Sequence, residues 1–81
     1  MVKVTVWGSL QNATGNLAEV EVEAKNIREL LARLAEQYPG LKPQIDRGVS
    51  VSIDGLIYSK TLIAEIKPDS EVVLLPRLTG G

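Results

Sequence analysis

The 81 residues carry nine basic and ten acidic side chains, for a net charge of −1, with 44% hydrophobic residues and neither Cys nor His. At that length one small domain with one modest core is the limit. The balanced charge sets nucleic acid aside, and the missing Cys and His exclude thiolate chemistry, disulfides, iron–sulfur clusters, cysteine-ligated zinc and the usual general base.

No run is long enough to span a bilayer, and no apolar signal segment follows Met1, so a cytoplasmic location without a membrane partner is expected. Chemistry has only carboxylates, lysines or the chain end to work with, poor material for a self-sufficient enzyme.

Val2 to Trp7 alternates with period two, which predicts a strand with Val2, Val4 and Val6 toward the core and Lys3, Thr5 and Trp7 on the other face. Gly8 to Asn16 reads as a polar loop. Ala18, Val20, Val22 and Ala24 alternate with Glu19, Glu21 and Glu23, a strand with one wet face. The glutamate row could suit a metal or a basic partner, but its plainer meaning is a solvated edge that discourages edge-to-edge pairing.

Asn26 to Glu29 fits a capping box, with Asn26 as N-cap and Glu29 reaching back to it. Ile27, Leu30, Leu31, Leu34, Ala35 and Tyr38 then form one apolar helical face, Glu29 and Arg33 a favourable pair on the exposed side, and Pro39-Gly40 a stop. Leu41 to Gly48 is expected to be a connection, with Leu41 and Ile45 tucked against the helix. Val49, Val51 and Ile53 alternate with Ser50 and Ser52, and Asp54-Gly55 supplies a two-residue hairpin turn into Leu56-Ile57-Tyr58. Ser59 to Lys67 is expected to form a short helical turn anchored by Leu62, Ile63 and Ile66, and Pro68-Asp69-Ser70 a tight turn.

Val72 to Leu75 is apolar without alternation, as in a central strand, and Pro76 lacks the N–H that would carry pairing further. One helix covers one face of such a sheet, so the expected class is α+β: a β-grasp, or ubiquitin-like, mixed sheet of four to five strands with one main helix, the last strand central and parallel to the first. The expected organisation is a domain over residues 1–76 and a flexible tail over residues 77–81.

Arg77-Leu78-Thr79-Gly80-Gly81 has no apolar period and ends in two residues without a Cβ. On the glycines alone, a frayed chain end is the plainer reading. The alternative is a tail that enters a slot too narrow for side chains and presents the Gly81 carboxylate. Trp7 projects from the face that the helix leaves bare, and parity places Ile57, Val73 and Leu75 beside it, an apolar patch suited to a protein partner.

The strand Val2 to Trp7, the Leu10 to Gly15 loop, the capped helix, Ile53-Asp54-Gly55, the turn from Lys67 to Val72 and the tail from Pro76 to Gly81 together resemble the MoaD/ThiS family of ubiquitin-like sulfur carriers, especially its molybdopterin-synthase branch. Only the diglycine in register with the last strand is specific to carriers; the other pieces speak for the β-grasp. Arg77 stands where that branch often has a second proline, and Ser70 where a glycine is common.

The resemblance implies a non-enzymatic carrier that binds no cofactor of its own and no metal. An E1-like adenylyltransferase of the MoeB/ThiF type would use ATP to adenylate the Gly81 carboxylate, and a persulfide sulfur would convert it to a thiocarboxylate. The tail, Pro76 to Gly80 included, would enter a molybdopterin synthase large subunit or an equivalent sulfur acceptor, in molybdenum or tungsten cofactor biosynthesis. Arg77 would either meet an acidic group or nucleotide phosphate of the activating enzyme or merely solubilise the tail. The competing functions are a protein modifier joined to lysines through the same carboxylate, and a β-grasp interaction module with a passive tail.

Overall fold

The computed structural model describes residues 1–58 and 63–76, with the Ser9 side chain excepted. Five strands form one sheet: β1 (Val2–Val6), β2 (Glu19–Val22), β3 (Val49–Ile53), β4 (Leu56–Tyr58) and β5 (Val72–Pro76), in the order β2-β1-β5-β3-β4. β1 and β5 are parallel and the other pairs antiparallel. The helix α1 (Ile27–Gln37) and the shorter α2 (Lys42–Arg47) complete the fold. With the last strand central and parallel to the first, the β-grasp expected from the element order is the fold adopted. Among the described residues, no helix is long and apolar enough to cross a membrane.

One face of the sheet holds the core. Val2, Val4 and Val6 of β1, Val20 and Val22 of β2, Val51 and Ile53 of β3, and Val72 and Leu74 of β5 are buried against Ile27, Leu30 and Leu34 of α1. Burying each of the three α1 side chains contributes roughly 1.5–3 kcal/mol, which is why this stripe fixes the helix on the sheet. Asn26 caps α1 through its side-chain oxygen, which accepts from the Glu29 N–H at 2.8 Å. The box closes one residue further out than expected: Glu29 Oε1 accepts from the Lys25 N–H at 3.1 Å, not from that of Asn26. Arg33 pairs with Glu36 at 3.3 Å and not with Glu29; both side chains are exposed, so the exchange has little energetic consequence.

Four further expectations are corrected. Gly8–Thr14 is a 3-10 helix, not an irregular loop, and it buries Leu10 and Thr14. The Thr14 hydroxyl lies 3.0 Å from the Gln11 carbonyl and 2.9 Å from that of Leu17, closing the segment on itself. Ala18 is exposed and precedes β2, although its carbonyl still accepts from the Val6 N–H at 2.8 Å. The stretch after Pro39 continues as a 3-10 turn, Pro39–Leu41, and then α2, with Leu41 fully buried and Ile45 packed on the core. Pro43 does not prevent α2, because a proline in the first helical turn removes an N–H with no intrahelical partner.

Residues 59–62, and with them Leu62, lie outside the described residues. Residues 63–67 form no helical turn: Ile66 is buried and its N–H donates to the Lys25 carbonyl at 2.8 Å, Glu65 bridges to Asn26, and Ile63 is 78% exposed. The Pro68-Asp69-Ser70 turn forms, with the Ser70 N–H donating to the Lys67 carbonyl at 2.9 Å. Pairing of β5 reaches Pro76, opposite Val49, as its last rung.

Candidate functional site

The hairpin between β3 and β4 sets one side of the site. Asp54 has φ 51° and Gly55 φ 90°, the left-handed pair that a primed two-residue turn requires. Ile53 then faces Leu56 and Ser52 faces Ile57. Ile57 therefore stands on the face opposite the helix, as parity predicted, and is 54% exposed.

The same parity runs across the sheet. Thr5 pairs with Val73, Val73 with Ser52 and Ser52 with Ile57, so one lateral row spans four strands. In the next row toward the end of β5, Leu75 pairs with Ser50, and the Trp7 N–H donates to the Leu74 carbonyl at 3.1 Å, which sets the indole beside Leu75. Trp7 is 58% exposed, whereas Leu75 is only 7% exposed. Trp7, Ser52, Gly55, Ile57, Val73 and Leu75 line one open groove of about 260 Å³.

The sequence reading thus placed Trp7, Ile57, Val73 and Leu75 correctly on one face. It missed two members. Ser52 lies half-buried in the groove, and Gly55, taken only for its turn geometry, forms part of the rim. The strict Val/Ser alternation of β3 could have found Ser52, since it puts that hydroxyl on the face of Ile57. The other serine, Ser50, pairs with Leu75 and is fully buried instead of lying on a polar surface.

Pro76 is exposed at the end of β5. Arg77, Leu78, Thr79, Gly80 and Gly81 lie outside the described residues. A wider depression of about 530 Å³ lies on the helix side, but Glu23 and Glu29 alternate there with Lys25 and Arg33, and their charges offset one another. Among the described residues, no group of acidic side chains could hold a metal ion.

The sequence over residues 4–81 matches the ThiS family. The chain belongs to the ThiS family. Solved structures share the fold of this ThiS-family chain. A structure of the Amycolatopsis orientalis BexX/CysO complex matches at a TM-score of 0.80 and 24% identity, covering 100% of both chains. SAMP1 from Haloferax volcanii matches at 0.70 and 20%, covering 99% of this chain and 98% of that one. The complex of subunits 1 and 2 of molybdopterin-converting factor from Helicobacter pylori 26695 matches at 0.70 and 24%, covering 99% and 97%. A comparison with curated proteins returns no significant sequence match. Two of these three neighbours are structures of complexes.

Proposed function

We propose that the chain is a sulfur carrier, not itself a catalyst, whose working group is the Gly81 carboxylate. The observation that carries this reading is the family match, which runs to residue 81 and so includes Gly80-Gly81. A free carboxylate is a poor electrophile. An E1-like adenylyltransferase would let it attack the α-phosphorus of ATP, releasing pyrophosphate and leaving a mixed anhydride. A persulfide sulfur then displaces AMP at the acyl carbon, and cleavage of its S–S bond by a thiol leaves a thiocarboxylate. The product is a sulfur nucleophile, which a chain without Cys otherwise lacks.

Residues 1–76 are the docking body in this reading and residues 77–81 the delivery arm. Trp7, Ile57, Val73 and Leu75 hold the partner while Pro76 to Gly80 lead Gly81 into its active site. Five residues follow Pro76, and five extended residues span at most about 17 Å. Groove and chemistry must therefore be served by one partner surface. The molybdopterin-converting factor neighbour favours a cofactor-biosynthetic acceptor, a molybdopterin synthase large subunit or its equivalent, for molybdenum or tungsten.

The test is intact mass spectrometry after incubation with an activating enzyme, ATP and a sulfur source. A mass shift equal to replacement of one oxygen by one sulfur, confined to the C-terminal peptide, is expected. No shift with an enzyme competent on another carrier overturns the reading. A ladder of conjugates on target lysines would favour a protein modifier instead.

A further inference from the structure

The two edges of the sheet, β2 and β4, differ in kind. β2 carries Glu19 and Glu21, both exposed, and like charges set across from one another resist the addition of a second such strand. β4, Leu56-Ile57-Tyr58, has neither a charge nor a proline. Half of its backbone is also unpaired. The two-residue turn makes Ile53 and Leu56 a hydrogen-bonded pair, and Val51 and Tyr58 are the next, so Ile57 opposite Ser52 makes no ladder bond to β3. Its N–H and carbonyl point outward instead, where no described strand meets them. Side chains are bare on both faces: Ile57 is 54% exposed on the open face, and Leu56, on the helix face, is 64% exposed. A partner lying on the open face would leave Leu56 in water. A strand added along the edge covers both.

We propose that β4 is a self-pairing edge: two copies of this chain join through it, antiparallel about a two-fold axis at Ile57, and their sheets become one. The free backbone groups fix the register. Ile57 of each copy donates its N–H to the Ile57 carbonyl of the other, and Leu56 of each lies opposite Tyr58 of the other. The edge itself selects a second copy as occupant. Every pair in this register is apolar or aromatic, whereas a charged strand would find no counter-charge on β4. A net charge of −1 per chain leaves little repulsion between copies. The contact is isologous and closes at two, because both ends of the joined sheet are then β2 with its glutamates. Three residues a side bury far less than the ~1,200 Å² of a stable interface, so the dimer is reversible. Antiparallel pairing also puts Pro76 of the two copies at opposite ends of the joined sheet, and neither copy covers the end of the other's β5. The inference does not rest on the carrier reading.

The test is sedimentation equilibrium of the full chain, with amide hydrogen exchange, from about 10 µM to about 1 mM. The weight-average mass is expected to climb from 8.8 kDa toward twice that value. Over the same range exchange at the Ile57 amide slows by about fivefold or more, while that at the Leu56 amide, already bonded to β3, holds. Ile57→Lys sets two ammonium groups directly across from one another and keeps the chain monomeric throughout, with unchanged circular dichroism. Trp7→Ala retains the dimer, because the indole lies away from the seam. The wild-type concentration series needs no substitution and stands even where a variant folds poorly. A mass that stays at 8.8 kDa up to about 1 mM overturns the inference, including the case in which only an added foreign strand protects the Ile57 amide. Self-association that leaves the Ile57 amide unchanged and disappears in Trp7→Ala also overturns it, since the copies would then meet through the open face.

Discussion

At the hairpin tip, Asp54 holds φ 51° while its side chain and its N–H both engage the backbone of Glu71. A left-handed conformation costs most residues about 1–2 kcal/mol, less for Asp and Asn, and the lost acceptor would add about 1 kcal/mol. Asp54→Ala is therefore expected to lower stability by about 2 kcal/mol in urea denaturation, whereas Asp54→Asn keeps both the conformation and an acceptor and retains most of it. Trp7 behaves in the opposite way. Its ring lies on the surface, so Trp7→Ala should change stability by less than about 0.5 kcal/mol. As an aromatic anchor for a partner, the same change should raise the KM for adenylation by about thirtyfold. A variant with weakened folding and normal KM would show that the indole serves the domain and not the interface.

Among the elements, α1 and the hairpin were legible in the sequence because their signals are local. A cap, an apolar period and an Asp-Gly turn each act within a few residues. The 3-10 helix Gly8–Thr14 and α2 were not legible. Each offers few apolar residues; Gly8–Thr14 is ordered by packing against the distant Pro39–Leu41 and β5, whereas α2 packs on α1 and β3, its neighbours in sequence. Gly40 shows how tight that packing is. A Cβ added there would lie 3.3 Å from the Ala13 Cβ and 3.4 Å from the Ala13 carbonyl oxygen. Gly40→Ala should therefore cost about 1–3 kcal/mol, since the two 3-10 segments would have to separate. Removing the α1 cap with Asn26→Ala should cost about 1 kcal/mol. Denaturant midpoints at unchanged m-value would check both. The open face of the sheet was readable for a simpler reason: strand parity alone assigns Trp7, Ile57, Val73 and Leu75 to one side once β5 is placed in the centre. Whether a residue on that side is exposed does not follow from parity, as Ser50 and Leu75 show.

For the whole molecule, the decisive fact is that the central strand is the last one. β1 cannot complete its ladder, nor β3 its own, until Val72–Pro76 arrives. Val72 and Leu74 are also among the most buried side chains. A chain ending at Ser70 should consequently lack cooperative unfolding by circular dichroism, whereas one lacking only Gly80 and Gly81 should unfold like the full chain. A truncated chain that still melted cooperatively would mean that four strands suffice.

The position of β5 also determines how the domain bears force. A catalyst that grips the end of the chain and pulls along its axis loads β5 between two neighbours, β1 on one side and β3 on the other. Ladder hydrogen bonds lie across the strand axis, so such a pull shears many of them together and cannot peel them off singly. Stretched between Val2 and Pro76 in a single-molecule experiment, the domain should yield at much higher force than when pulled apart across the β3–β4 hairpin, where the rungs open one after another.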